Sequence, residues 1–171
     1  MARLDLRPAI AVGHSAGAAI LIRMALDGLA RPGAIVSVNG ALLPFSGLGG
    51  LMFPQLARLL FLNPLSVRFF AWRASDRAAV VRLLEGTGSK IAPEAVDLYA
   101  RLFRTERHLT ATLGMMANWD LPGLERDLPR LSVPLVLVAA SGDLTIPAEV
   151  AFKVRDVVPG ATVELYRGVG H

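Results

Sequence analysis

The 171-residue sequence contains no cysteine, which excludes a disulfide framework, a thiolate metal site and a cysteine nucleophile. Charge is scarce too, since Asp, Glu, Lys and Arg make up only 19% of the chain. Basic residues number 18 against 14 acidic ones, a net charge of +4, and the arginines are scattered singly. With no basic cluster there is no electrostatic footprint for nucleic acid. The small surplus reads as a solvated surface, with at most peripheral contact with an anionic membrane. The N-terminus lacks the apolar run and cleavage site of a signal peptide. No His/Asp/Glu group has metal-ligand spacing, and no glycine-rich phosphate loop occurs, so neither metal nor cofactor is expected.

Apolar residues are plentiful. At 53% hydrophobic, with a mean hydropathy of +0.49, the chain can fold around a core and cannot be an intrinsically disordered segment. From Pro32 to Ala57 no residue is charged, long enough on paper to cross a bilayer. However, Pro44, Pro54, five glycines, Asn39 and Gln55 interrupt it, and a lipid-exposed helix could not satisfy its backbone through so many breaks. A buried strand followed by an apolar surface or lid fits better, in a soluble, cytoplasmic protein.

Short apolar runs alternate with helical patterns, the signature of an α/β fold with a parallel sheet. Strands are expected at Pro8–Val12, buried on both faces, and at Ala34–Val38, Pro134–Ala139 and Thr162–Tyr166. Helices are expected at Ala16–Leu29 and Ala148–Val158. Between the second and third strands the pattern is helical throughout, with stretches at Leu51–Phe61, Asp76–Leu84, Pro93–Arg104 and Leu109–Ala117. The expected organisation is a sheet-bearing core, residues 1–43 and 120–171, interrupted by a helical cap, residues 44–119. Gly47, Gly49 and Gly50 mark a mobile apolar loop at its entrance.

The sharpest chemical signal is Gly13-His14-Ser15-Ala16-Gly17, set between a strand and a helix. A nucleophilic serine there must sit on a tight turn, with glycines leaving room on either side. The turn lifts the Ser15 hydroxyl above the strand ends and aims the Ala16 N–H at a developing oxyanion. A hydroxyl nucleophile needs a base, and the base an orienting carboxylate. Ser141-Gly142-Asp143 follows the third strand, and Gly168-Val169-Gly170-His171 follows the fourth, giving the order Ser15, Asp143, His171. Asp143 could also cap the helix beginning near Pro147. His14 is expected to support the turn, and His108 to be a solvated or capping residue. Phe45, Met115 and Trp119 are candidates for an apolar substrate site, as are Met116 and Phe69-Phe70-Ala71-Trp72; each could equally be core of the insertion.

With these motifs the sequence resembles α/β-hydrolase-fold proteins along essentially its whole length. Within them it is similar to the BchO family, magnesium chelatase accessory proteins of bacteriochlorophyll-producing bacteria. The resemblance is carried by VGHSAGAAI at 12–20, NGALLPFSGL at 39–48 and LARLLFLNPL at 56–65. EGTGS at 85–89, MMANWDL at 115–121 and RDLPRLSVPL at 126–135 extend it. It implies a role near magnesium insertion into protoporphyrin, with a tetrapyrrole as candidate substrate and magnesium chelatase as candidate partner. It also implies that the chain is a fragment. About four strands and a helix would precede the nucleophile strand, with the loop donating the second oxyanion N–H, and a helix would follow His171. The fragment alone is expected to be inactive. For the complete protein the leading expectation is a serine hydrolase acting on a hydrophobic ester or other acyl compound. The alternatives are a non-catalytic porphyrin- or chelatase-binding accessory protein and a generic esterase or lipase.

Overall fold

The computed structural model describes residues 8–44, 55–56, 58–61 and 63–171. The chain divides into two compact units, one of residues 1–44 and 121–171, the other of residues 45–120.

Among its described residues the first unit holds four parallel strands in the spatial order β1-β2-β3-β4: β1 Ile10–His14, β2 Ala34–Val38, β3 Leu135–Ala140 and β4 Thr162–Tyr166. Parallel neighbours need crossovers, and helices supply them. Helix α1 (Ala16–Leu26) packs on β1 and β2. It stops three residues short of the expected Leu29 because Gly28 takes a φ of 71° and Leu29 N–H donates to Met24 O at 2.8 Å, a six-to-one closure that ends the helix. Helix α7 (Glu149–Val157) packs on β3 and β4.

The strands pair in register, Ala11 with Ile35 and Ile35 with Leu135. Ala11, Ile35, Ser37, Leu135 and Leu137 are all buried on that face, with Ile22 of α1 and Val154 of α7 buried too. Burying each large aliphatic side chain contributes about 1.5–3 kcal/mol. The other face corrects the expectation of doubly buried strands. Ile10 and Val12 are 59% and 65% exposed, so β1 alternates out and in. The apolar run was the pattern of a strand covered twice, and among the described residues helices cover one face of it.

The second unit is helical among its described residues: α2 Pro64–Arg73, α3 Arg77–Glu85, α4 Pro93–Phe103 and α5 Glu106–Ala117. Residues 58–61 are also helical, and the rest of the expected helix at 51–61 falls partly outside the described residues, as do Phe45 and the glycine loop at 47–50. Helix α2 lies where no separate helix was expected. Its Phe69, Phe70 and Trp72 are 55%, 37% and 68% exposed, so no amphipathic period marks it. The core of the unit joins α3 to α4 through Val80, Leu84, Val96 and Ala100, with Ala74 beside them. Helix α6 (Leu121–Asp127), also unanticipated, returns the chain to the first unit and contacts α1. No helix among the described residues is long and apolar enough to cross a membrane.

Candidate active site

All four strands run in one direction, so residues that follow them gather at one edge of the sheet, where ligands of open α/β sheets bind. Ser15 follows β1, Asn39 follows β2, Asp143 lies beyond β3 and His171 beyond β4.

Ser15 has φ 52° and ψ −121°, a left-handed conformation costing a non-glycine residue roughly 1–3 kcal/mol. Backbone bonds hold it there. Ser15 N–H donates to Val38 O at 2.9 Å, and Ser15 O accepts from Ala18 N–H and Ala41 N–H, both at 3.2 Å. Gly13 is required by the turn, because a Cβ there would meet Ala18 Cα and N at 2.7 Å. Gly17 differs: a Cβ at that position meets no described atom within 4 Å, so among the described residues Gly13 is the glycine of the motif that makes room. The Ser15 hydroxyl is not spent as a helix cap. Ala16 opens α1, so its N–H belongs to the first turn, whose donors have no intrahelical acceptor and point along the positive end of the helix dipole.

The acid and the imidazole meet directly. His171 Nδ1 and Asp143 Oδ2 are 2.7 Å apart, and the Asp143 side chain is fully buried. An ionised carboxylate only accepts, so Nδ1–H is the donor, and a neutral His171 keeps the lone pair on Nε2. The other carboxylate oxygen, Oδ1, accepts from Thr145 N–H at 2.7 Å and Ile146 N–H at 2.8 Å. Asp143 thus caps its own turn. Helix α7 starts later, after Ala148, so the expected capping of that helix is not made. Gly142 lets the two loops touch. Its N–H donates to Val169 O at 3.0 Å, and a Cβ in its place would lie 2.8 Å from that oxygen.

Two further residues reach this loop. The His14 ring lies with its centroid 4.6 Å from that of His171, tilted by 55°. Partial burial lowers the His14 pKa, the neighbouring His171 lowers it further, and Asp143 opposes both. Asn39 Nδ2 donates to Gly170 O at 3.1 Å. Neither contact was readable beforehand, because both join residues more than 130 positions apart; the positive φ of Asn39 (44°) in Asn39-Gly40 was the nearest local signal. A cleft of about 270 Å³ adjoins them, lined in part by His14, Asn39, Tyr166 and His171. A hydrogen bond joins the acid to the imidazole, and the strand order brings Ser15 to the same rim of the sheet.

Met115 and Trp119 are half-buried in the second unit, and His108 is exposed within α5. That unit holds a cavity of about 490 Å³ whose lining is almost wholly apolar, including Phe70, Leu83, Phe103, Leu113 and Met116. Among the described residues no group of three or more His, Asp or Glu could hold a metal ion.

The model of the alpha/beta hydrolase family matches residues 1–171. The chain is 38% identical over 172 residues to the magnesium-chelatase 30 kDa subunit of Rhodobacter capsulatus, covering 98% of this chain and 58% of that protein. It is similar in structure to an esterase from Exiguobacterium antarcticum, with a TM-score of 0.69, 14% identity and coverage of 98% of this chain and 62% of the other. An alpha/beta hydrolase fold protein from Burkholderia ambifaria gives a TM-score of 0.72 at 15% identity, over 99% and 62% of the two chains. The chain thus spans about three fifths of the length of these relatives.

Proposed function

The chain belongs to the alpha/beta hydrolase family, and from that premise we propose that the whole protein is a serine hydrolase acting on a hydrophobic ester or related acyl compound. The observation that carries this reading is the 2.7 Å contact of Asp143 with His171, at the sheet edge where Ser15 stands on its left-handed turn. Ser15 Oγ attacks the acyl carbon, and His171 Nε2 takes its proton and returns it to the leaving group. Asp143 holds the imidazole in the Nδ1–H tautomer and stabilises it when it becomes charged. Ala16 N–H supports the tetrahedral oxyanion. The test is fluorophosphonate labelling of the full-length protein. Wild type is expected to label and Ser15→Ala not to; equal labelling of both would remove Ser15 from the chemistry.

We further propose that the substrate is met in tetrapyrrole synthesis, beside a magnesium chelatase, and in the cytoplasm. The support is the name of the Rhodobacter relative together with the apolar cavity of the helical unit. The same two observations favour a second reading, in which the protein binds a porphyrin or the chelatase without turning anything over. A Soret shift of protoporphyrin on the full-length protein, unchanged by Ser15→Ala and lost on removal of residues 45–120, would select that reading. Phe45, Met115 and Trp119 are proposed to contact the hydrophobic ligand in either case.

A further inference from the structure

Asn39 is not accounted for by the nucleophile turn or by the acid–base pair. It directly follows β2 and is only 7% exposed. With Ser15 it is one of two non-glycine residues in the left-handed region among those described. Asparagine tolerates that region better than most residues, yet such a conformation persists only where the surroundings impose it. Here its backbone N–H donates to Val138 O of β3 at 2.8 Å and its Nδ2 to Gly170 O at 3.1 Å. One residue therefore ties the end of β2 to β3 and to the loop beyond β4.

The bonded oxygen belongs to the planar peptide unit joining Gly170 to His171, so fixing it fixes the plane from which the His171 side chain springs. The loop has little stiffness of its own. Gly168 sits at a φ of 74°, and Gly170 lacks a Cβ. Asp143 fixes the ring at Nδ1, at the far end of the side chain from the backbone. The Asn39 bond anchors the backbone end, and the two anchors together set where Nε2 points.

We propose that Asn39 is a positioning residue of the acid–base pair: its side-chain amide holds the Gly170–His171 peptide so that His171 Nε2 faces the Ser15 hydroxyl. The proposal rests on the reading of Ser15, Asp143 and His171 as the reacting groups.

Asn39→Gly keeps the left-handed backbone and removes the amide. Asn39→Asp keeps the side-chain shape and replaces the donor with a group that repels the carbonyl. In the full-length protein both variants are expected to slow the maximal rate of fluorophosphonate labelling by about 10- to 100-fold, the scale of a misplacement near 1 Å, with reagent half-saturation within about twofold of wild type. Proton NMR gives an activity-independent readout. The low-field Nδ1–H resonance of His171, assigned by its loss in Asp143→Asn, is expected to broaden in both variants. Wild-type labelling and a sharp resonance in either folded variant would overturn the proposal. If one variant fails to fold, the other decides. Should wild type label no better than Ser15→Ala, the hydrolase reading fails, and the resonance alone then decides whether Asn39 orients the imidazole.

Discussion

At Gly13 the tolerance of the turn is set by distance. An added Cβ would meet the backbone of Ala18 at 2.7 Å, and backbone cannot rotate aside as a side chain can. Gly13→Ala is expected to destabilise the first unit by about 1–3 kcal/mol, read by urea denaturation. Gly17→Ala meets none of the described residues and is expected to be neutral or slightly stabilising in the same measurement. Equal effects of the two substitutions would contradict the packing assigned to the turn. At Asp143 the expectation concerns chemistry. Asp143→Asn can donate to Nδ1 and so favour the wrong tautomer, lowering turnover on the order of 10⁴-fold, as amidation of the acid does in other serine triads. His14 titrates. Its lowered pKa means that the folded state prefers the neutral ring, so its contribution to stability is whole above the unfolded value of 6.5 and is lost as pH falls through the native one. Thermal midpoints measured from neutral pH down to about 5 should fall less steeply for His14→Gln than for wild type; parallel curves would show that this ring does not couple to folding.

Among the elements, the helical unit shows best what patterning conveys. Val80 and Leu84 on α3, and Val96 and Ala100 on α4, recur four residues apart, and each pair is buried in the shared core. That spacing places them on one helix face and made both helices readable. Leu84→Ala should cost about 2–4 kcal/mol and loosen this unit first. Hydrogen exchange would check it: amides of residues 77–103 should exchange faster while those of β3 do not. Helix α2 was silent because Phe69, Phe70 and Trp72 crowd within four positions, with Phe69 and Trp72 more than half exposed, giving neither a helical nor a strand period.

For the chain as a whole the decisive feature is a sheet that, among the described residues, has helices on one face and β1 at its edge. Ile10 and Val12 expose apolar surface on a strand whose outer backbone edge pairs with no other described strand, a template for association. The 171-residue chain is expected to self-associate through that strand. Light scattering after size exclusion would reveal this, and a monodisperse monomer would refute it.

The strand–helix alternation, the glycine-flanked serine and the order of acid and histidine were all written in the sequence, because strand periodicity, tight turns and chain order are local properties. Only the tertiary structure decided that Asp143 caps its own turn as well as meeting His171, that Gly13 and not Gly17 is sterically required, that His14 leans on His171, and that Asn39 reaches Gly170. Each of these depends on atoms brought together across parallel crossovers, and hydrogen bonding and close packing act on separations of a few ångströms that no spacing along the chain encodes.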